Sequence, residues 1–396
     1  MRSHSYLNSA VKIIADYKGK EPLSAFLKKY FSANKKFGSR DRKQVAHLCY
    51  CFFRLGKALM DVPAEERILI GLFLCSTQAN EMLQEIRPEW NSQVEAPISR
   101  KLSIIRSPLL TSDVFPWKEQ ASDGVDHEKF CESFFIQPNL YLRIRPGHEQ
   151  PVKDKLLRSA TSFTEIEAAC LSLSNATKIE NIIDLDTEAV VQDLSSQQIG
   201  NYLQFPIANC PSPVRVWDCC AGSGGKSLLL HDRFPNLDLT VSDIRQSIIA
   251  NLKNRFAKAG IKKYHRFVAD LTNLNSQLTP DSYRDDHSPF DLIVCDAPCT
   301  GSGTWSRTPE QLYFFETEKI DHYALLQRSI VTNVIPHLKP GGFFVYITCS
   351  VFKKENEDIV HYVEQQYPLN MIEMKLLKGY ENKADSMFVS IFRKAL

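Results

Sequence analysis

The stretch VRVWDCCAGSGGKS (214–227) decides how this chain is read. An apolar strand runs into small residues and glycines, then into a Lys226-Ser227 pair able to open a helix. Turns of this kind bring backbone N–H groups close to a ligand. A phosphate-cradling loop needs G-x-x-x-x-G-K-[ST], and its first glycine falls on Cys220, with Ala221 one place off. A dinucleotide fingerprint begun at Gly222 and Gly224 meets Ser227 where its third glycine belongs. Both familiar phosphate readings therefore fail at a named position.

Working outward, LDLTVSD (237–243), HRFVAD (265–270), FDLIVCD (290–296) and GFFVYITC (342–349) read as strands. Helical stretches near 225–233, 245–259, 319–338 and 355–367 lie among them. Strand–helix alternation implies a doubly wound parallel sheet with its ligand at the carboxyl ends of the strands. MIEMKLL (371–377) and MFVSIFRK (387–394), joined by a polar turn, read as a closing antiparallel hairpin. The second strand ends in Asp243, placed to accept from a ribose diol, and the third in Asp270, placed to accept from an exocyclic amine. Glycines at strand one with these two acids fit an adenosyl ligand without a phosphate, and S-adenosyl-L-methionine fits best.

The chain has 396 residues, which favours two or three domains. A hydrophobic fraction of 43% and a charged fraction of 24% are those of a soluble globular protein. No apolar run reaches the ~18 residues of a membrane span, so no membrane partner is expected. Eleven cysteines without regular spacing argue against a disulfide framework and for a reducing, cytoplasmic compartment. The net charge of +2 hides an asymmetry: residues 1–60 carry thirteen Lys or Arg against Asp16, Glu21 and Asp41. A basic segment of that kind suits a polyanion, nucleic acid before membrane. LSAFLKKYF (23–31) and GSRDRKQVAHLCYCFFRLGKAL (38–59) have helix periodicity, the second with Ser39 or Asp41 as cap. LYLRIR (140–145) alternates as a strand and DKLLRSA (154–160) suits a helix.

Two cysteines stand where this kind of sheet presents its chemistry. Cys299 follows Asp296-Ala297-Pro298 after strand four, and Cys349 ends the strand YITC. Cys49, Cys75, Cys170 and Cys295 read as inert core residues. Metal spacing fails: Cys295-x-x-x-Cys299 meets Ser302 at the third iron–sulfur position, and there is no C-x-x-C pair, so no metal is expected. A thiol beside a methyl donor is what carbon methylation of a pyrimidine requires. Addition of a thiolate to C6 makes C5 nucleophilic, and a carboxylic group near N3 helps the ring accept the adduct.

These residues together resemble the RsmB/Nop/Sun family of RNA cytosine-C5 methyltransferases. Its C-A-A-P-G-G-K motif reads here Cys220-Ala221-Gly222-Ser223-Gly224-Gly225-Lys226, with Gly222-Ser223 in place of Ala-Pro. D-A-P-C and R-x-P appear as Asp296–Cys299 and Arg307-Thr308-Pro309. LKPGGFFVYITCS (338–350), then Glu355-Asn356, matches the motif carrying the second cysteine. QDLSSQ (192–197) resembles the segment before the catalytic domain, and SRDRKQVAHLCYCFFR (39–54) part of a NusB-like helical domain. Asp385-Ser386-Met387 replaces the family's usual Asp-Gly-Phe.

The resemblance implies an α/β chain: a class I (Rossmann-like) S-adenosylmethionine methyltransferase domain over 206–396. An α-helical NusB-like RNA-binding domain over 1–120 and a small α+β segment over 121–205 precede it. It implies Cys349 as nucleophile and Cys299 as the group for proton removal and release. Asp296 contacts the cytosine N3 edge and the donor, Lys226 orients Asp296, Asp243 takes the ribose and Asp270 lies near adenine. Arg40, Arg42, Lys43, Arg54, Arg143, Arg145 and Arg307 are candidate phosphate contacts; Trp305 and Tyr313 are candidates for stacking on an exposed base, with core packing the favoured use of Trp305. The expected partner is RNA, ribosomal before transfer RNA, met by a monomer. Rival readings are a DNA-type enzyme with Cys299 as attacker, a nucleotide triphosphatase that forgives Cys220, and a non-catalytic RNA-binding assembly factor.

Overall fold

The computed structural model describes residues 2–105, 111–234, 236–273 and 289–396. Its internal contacts divide the chain into two units. The first comprises Met1–Ala121, Val125–Pro138 and Thr304–Glu316; the second comprises Ser122–Gly124, Asn139–Gly303 and Thr317–Leu396.

The first unit is helical. Helices Arg2–Asp16, Leu23–Ala33 and Ser39–Arg54 bury apolar faces through residues such as Leu7, Ile13, Leu27, Val45 and Leu48, while Ala64–Cys75 is buried on all sides from Arg67 to Leu74. The Ser39–Arg54 helix is secured at its start by Asp41, whose carboxylate accepts from Gly38 N at 2.9 Å and from the Tyr6 hydroxyl at 2.7 Å. Residues 304–316 belong to this unit although they follow the Asp296–Cys299 segment in the chain. Buried Glu310 accepts from Leu23 N at 3.0 Å, and the Tyr313 carbonyl accepts from Lys57 Nζ at 2.9 Å. A linear division at residue 206 does not anticipate this excursion, because its partners lie nearly 300 residues upstream in a helix-only region. Among the described residues no helix is long and apolar enough to cross a membrane.

The second unit holds two sheets. In the smaller, β1 (Leu140–Ile144), β2 (Phe163–Glu167), β3 (Cys170–Leu173) and β4 (Ala189–Val191) run in the order β2-β3-β1-β4, all antiparallel. Helix Glu149–Arg158 buries Val152 and Leu156 against Leu142, Ile144, Leu171 and Leu173.

The larger sheet consists of β5 (Val214–Asp218), β6 (Leu237–Asp243), β7 (His265–Val268), β8 (Phe290–Asp296), β9 (Leu338–Thr348), β10 (Leu369–Leu377) and β11 (Met387–Lys394). Its order is β10-β11-β9-β8-β5-β6-β7. β5 through β9 are parallel, and β11 inserts antiparallel between β9 and β10. That is the class I methyltransferase topology, a Rossmann-like sheet closed by an antiparallel hairpin. The strands read as near-continuous apolar runs because both faces are covered. Val216, Leu292, Val294, Val345 and Ile347 are fully buried, with Leu228 and Leu252 from the flanking helices. The order reverses at β5, between β8 and β6, and a crevice opens there at the carboxyl ends of the strands.

Candidate functional site

β5 ends at Asp218 and the chain turns through Cys219–Gly224 into helix Gly225–Arg233. The turn needs glycine at one point above all. Gly224 has φ +86°, and a Cβ there would lie 2.8 Å from the Phe256 ring. Gly222, at φ +53°, would carry its Cβ into open space. Its N–H donates to Asp243 Oδ2 at 3.1 Å, and Ala221 N–H donates to the Ser242 carbonyl at 2.9 Å, so the loop is tied to β6. Ser223, standing where proline is usual, is held from outside. Arg255 donates to its carbonyl at 3.0 Å and its hydroxyl at 3.2 Å, while pairing with Asp186 at 2.7 Å. Beneath the loop Asp218 is fully buried, with Ser227 Oγ donating to Oδ2 at 2.5 Å and no partner on Oδ1. Burial raises its carboxyl from 3.8 to about 7.

A cavity of about 510 Å³ opens over this turn. Cys220, Gly222, Asp243, Asp270, Asp296, Cys299 and Cys349 all line it. So do Ile244, Leu271, Leu326 and Ile330, apolar side chains that sequence reading did not single out. Ile244 is 57% exposed, an apolar surface directly after the acid of β6. The donor set is that of a nucleoside pocket: a glycine backbone, two strand-end carboxylates and flat apolar walls. Asp243 accepts from Arg245 N at 2.9 Å, and Asp270 accepts from Thr272 N at 2.9 Å and Thr272 Oγ1 at 2.7 Å. The residues present therefore fit an adenosyl group bearing a ribose and an amine.

On the other side of the cavity, Asp296 ends β8. Lys226, on the first turn of the helix after the glycine loop, donates to Asp296 Oδ2 and to Ser196 Oγ, each at 3.0 Å. The Lys226 side chain is 8% exposed and that of Asp296 30%, so one end of the pair is enclosed and the other faces the cavity. Cys299 Sγ and Cys349 Sγ lie 3.3 Å apart. The Cys349 contact, then burial, pushes the Cys299 thiol well above its ordinary range.

Under the two thiols Glu355, fully buried, joins both loops. It accepts from Thr300 N at 2.8 Å and Thr300 Oγ1 at 2.6 Å, and from Ser350 Oγ. Asn356 accepts from Thr348 Oγ1 at 2.5 Å and donates to the Ser350 carbonyl at 2.9 Å. Gly303 N–H closes the frame on the Cys349 carbonyl at 2.9 Å, and Ser386 N–H donates to the Gly303 carbonyl at 2.8 Å. A side chain on Gly303 would collide with the Ser386 carbonyl, so the Ser386 backbone, whatever its side chain, shapes this turn.

The basic candidates divide. Lys43 and Arg42 are exposed, Arg42 donating Nε to the Phe37 carbonyl, and Arg40 is exposed with an ion pair to Glu81 at 3.2 Å. Arg307 is half-buried. Arg54, Arg143 and Arg145 correct the expectation of phosphate contact. Arg54 is buried and donates to the carbonyls of Phe134 and Ile136 and to Gln137. Arg143 and Arg145 close on one buried carboxylate, Asp232, at 2.5 and 2.8 Å. β1 thereby docks on the helix that follows the glycine loop, which is why these arginines are not left for a ligand. Trp305 takes the core-packing use: at 1% exposure it packs among Phe115, Trp117 and Phe315, its ring centroid 4.6 Å from that of Phe315. Tyr313 packs edge-on to Phe53 at 5.3 Å.

Comparison with known proteins bears on the same region. Residues 210–391 match the family described as 16S rRNA methyltransferase RsmB/F. The ribosomal RNA small subunit methyltransferase B of Xylella fastidiosa strain Temecula1 is 33% identical over 246 residues, covering 61% of this chain and 53% of that protein. The chain spans about half the length of the curated relatives it matches. Among solved structures, that of PH0851 aligns over 98% of both chains with a TM-score of 0.69 at 16% identity. NSun6 from Pyrococcus horikoshii with SFG aligns over 72% of this chain and 97% of its own, with a TM-score of 0.57 at 14% identity. At those identities the two structures speak for the fold.

Proposed function

Since the chain belongs, through residues 210–391, to the RsmB/Sun family of RNA cytosine-C5 methyltransferases, we propose that it methylates C5 of a cytosine in ribosomal RNA. The observation that carries this reading is the Cys299–Cys349 pair at 3.3 Å on the wall of a nucleoside-sized cavity that Asp296 also lines. The proposed methyl donor is S-adenosylmethionine, which would supply an electrophilic methyl group. Gly222, Asp243 and Asp270 would hold it, Asp243 accepting from the ribose and Asp270 and Ile244 facing the adenine.

The chain's own residues do the rest. Cys349, its thiol proton given up to solvent, adds its thiolate sulfur to C6 of the cytosine, forming an S–C6 bond and moving the ring π pair onto C5. Asp296, oriented by Lys226, hydrogen-bonds the N3 edge and steadies the ring as that charge moves. Once C5 carries its methyl group, Cys299, acting as a thiolate after its own proton has gone to solvent, accepts the C5 proton. The C5–H electrons re-form the C5–C6 double bond, and the Cys349 sulfur leaves with the S–C6 pair. The exposed basic face of the helical unit, with Arg40, Arg42 and Lys43, supplies phosphate contacts for the RNA.

Methyl transfer from labelled S-adenosylmethionine to ribosomal RNA, followed by nuclease digestion and mass spectrometry, tests this reading. Labelled 5-methylcytidine is expected. Label in another nucleoside, or none with an RNA-binding protein that is folded, would overturn it.

A further inference from the structure

A second group of cysteines lies behind the glycine loop and takes no part in the chemistry above. Cys219 and Cys220 directly follow β5, and Cys295 is the penultimate residue of β8. The two strands are parallel neighbours with Asp218 opposite Val294, and Cys219 N–H donates to the Val294 carbonyl at 3.0 Å. One step further along each strand therefore sets Cys219 beside Cys295. The Sγ atoms of Cys219, Cys220 and Cys295 all lie within 4.8 Å of one another. Cys219 and Cys295 are fully buried, while Cys220 is half-buried, and both Cys219 and Cys220 line the cavity over the loop.

We propose that Cys219, Cys220 and Cys295 form a three-thiolate site for a soft d¹⁰ cation, monovalent copper in particular, whose uptake weakens ligand binding in the adjoining cavity. Thiolate sulfur selects soft ions. Among the described residues no fourth His, Cys, Asp or Glu joins the group, so the closed tetrahedral set of a structural zinc site is incomplete, whereas three sulfurs satisfy trigonal copper. Three Cu–S bonds form on uptake, each S–H bond that breaks sends its proton to solvent, and copper stays monovalent throughout. Cys220 then tightens toward Cys295 and draws the start of the glycine loop with it. Only this coupling to donor binding rests on the proposed function.

Anaerobic titration of the full chain with Cu(I), in competition with a chromogenic Cu(I) chelator, reads the site through its copper–thiolate absorption. One equivalent is expected, unchanged in a Cys299→Ala/Cys349→Ala variant, which removes the other close thiol pair. At least a tenfold loss of affinity is expected in Cys219→Ala and in Cys295→Val separately; the two variants are independent, and circular dichroism identifies either one that fails to fold. Retention of the equivalent in folded cluster variants, or its loss with Cys299 and Cys349, would overturn the site. Calorimetry of S-adenosylmethionine binding to the Cys299→Ala/Cys349→Ala protein, with and without copper, tests the coupling. Weaker binding with copper is expected, and equal affinity would overturn that half alone. Failure of the copper-free protein to bind the donor would count against the proposed function and leave the ion site standing.

Discussion

Cys299 and Cys349 stand 50 residues apart in the chain and 3.3 Å apart at their sulfurs. Two neighbouring parallel strands produce this. β8 and β9 pair up to Asp296 opposite Ile347, and Ala297 N–H donates to the Ile347 carbonyl at 2.8 Å, so both strands release their loops at one level. The buried carboxylate of Glu355 then ties the two loops together through Thr300 and Ser350.

Glu355→Ala should lower stability by about 2–4 kcal/mol, because it strands buried donors that have no water to turn to. The effect on turnover should exceed the effect on RNA affinity, since the loops it joins carry the thiols. Urea unfolding together with separate kcat and KM measurements would show this, with Glu355→Gln restoring part of the loss.

Lys226→Met should reduce kcat/KM by roughly 10²-fold, the cost of a misplaced reacting group, and leave the fold intact. Its ammonium is the partner seen on Asp296 Oδ2, so the carboxylate would lose its orientation. A variant with ordinary turnover and circular dichroism would remove Lys226 from the account.

The pH dependence of stability should carry the mark of Asp218. Its carboxyl is raised by burial to about 7, so folding binds a proton that the unfolded chain releases. The stability it contributes is fully present below its unfolded value of about 4 and is lost as pH rises through about 7. Asp218→Asn has no such proton to lose. Its melting temperature relative to wild type should rise between about pH 5 and pH 8, and parallel curves would contradict the assignment.

Asp232→Ala should cost about 3–5 kcal/mol, because two enclosed guanidiniums, those of Arg143 and Arg145, lose their shared carboxylate. Denaturant unfolding checks this. A change below about 1 kcal/mol would show the triad to be solvated.

Much of this was legible before the structure. Strand–helix alternation after residue 213 implied the parallel sheet, and a short near-continuous apolar run such as FDLIVCD is what a strand buried on both faces requires. The strand-end positions of Gly222, Asp243, Asp270, Asp296, Cys299 and Cys349 put them at one edge, and one cavity takes them all. What escaped depended on long-range partners. Arg143 and Arg145 sit on an alternating strand and look free until Asp232, 89 residues from Arg143, closes on them. The closeness of Cys295 to Cys219 is likewise invisible in chain spacing, because it is β5 and β8 that bring the two together across the sheet.

The division of labour between the two thiols is the centre of the account, and covalent trapping tests it most directly. Cys299→Ala and Cys349→Ala would each be incubated with ribosomal RNA and S-adenosylmethionine, then resolved on denaturing gels. The account predicts a covalent protein–RNA band for Cys299→Ala and none for Cys349→Ala. A band from Cys349→Ala alone would contradict it and make Cys299 the nucleophile.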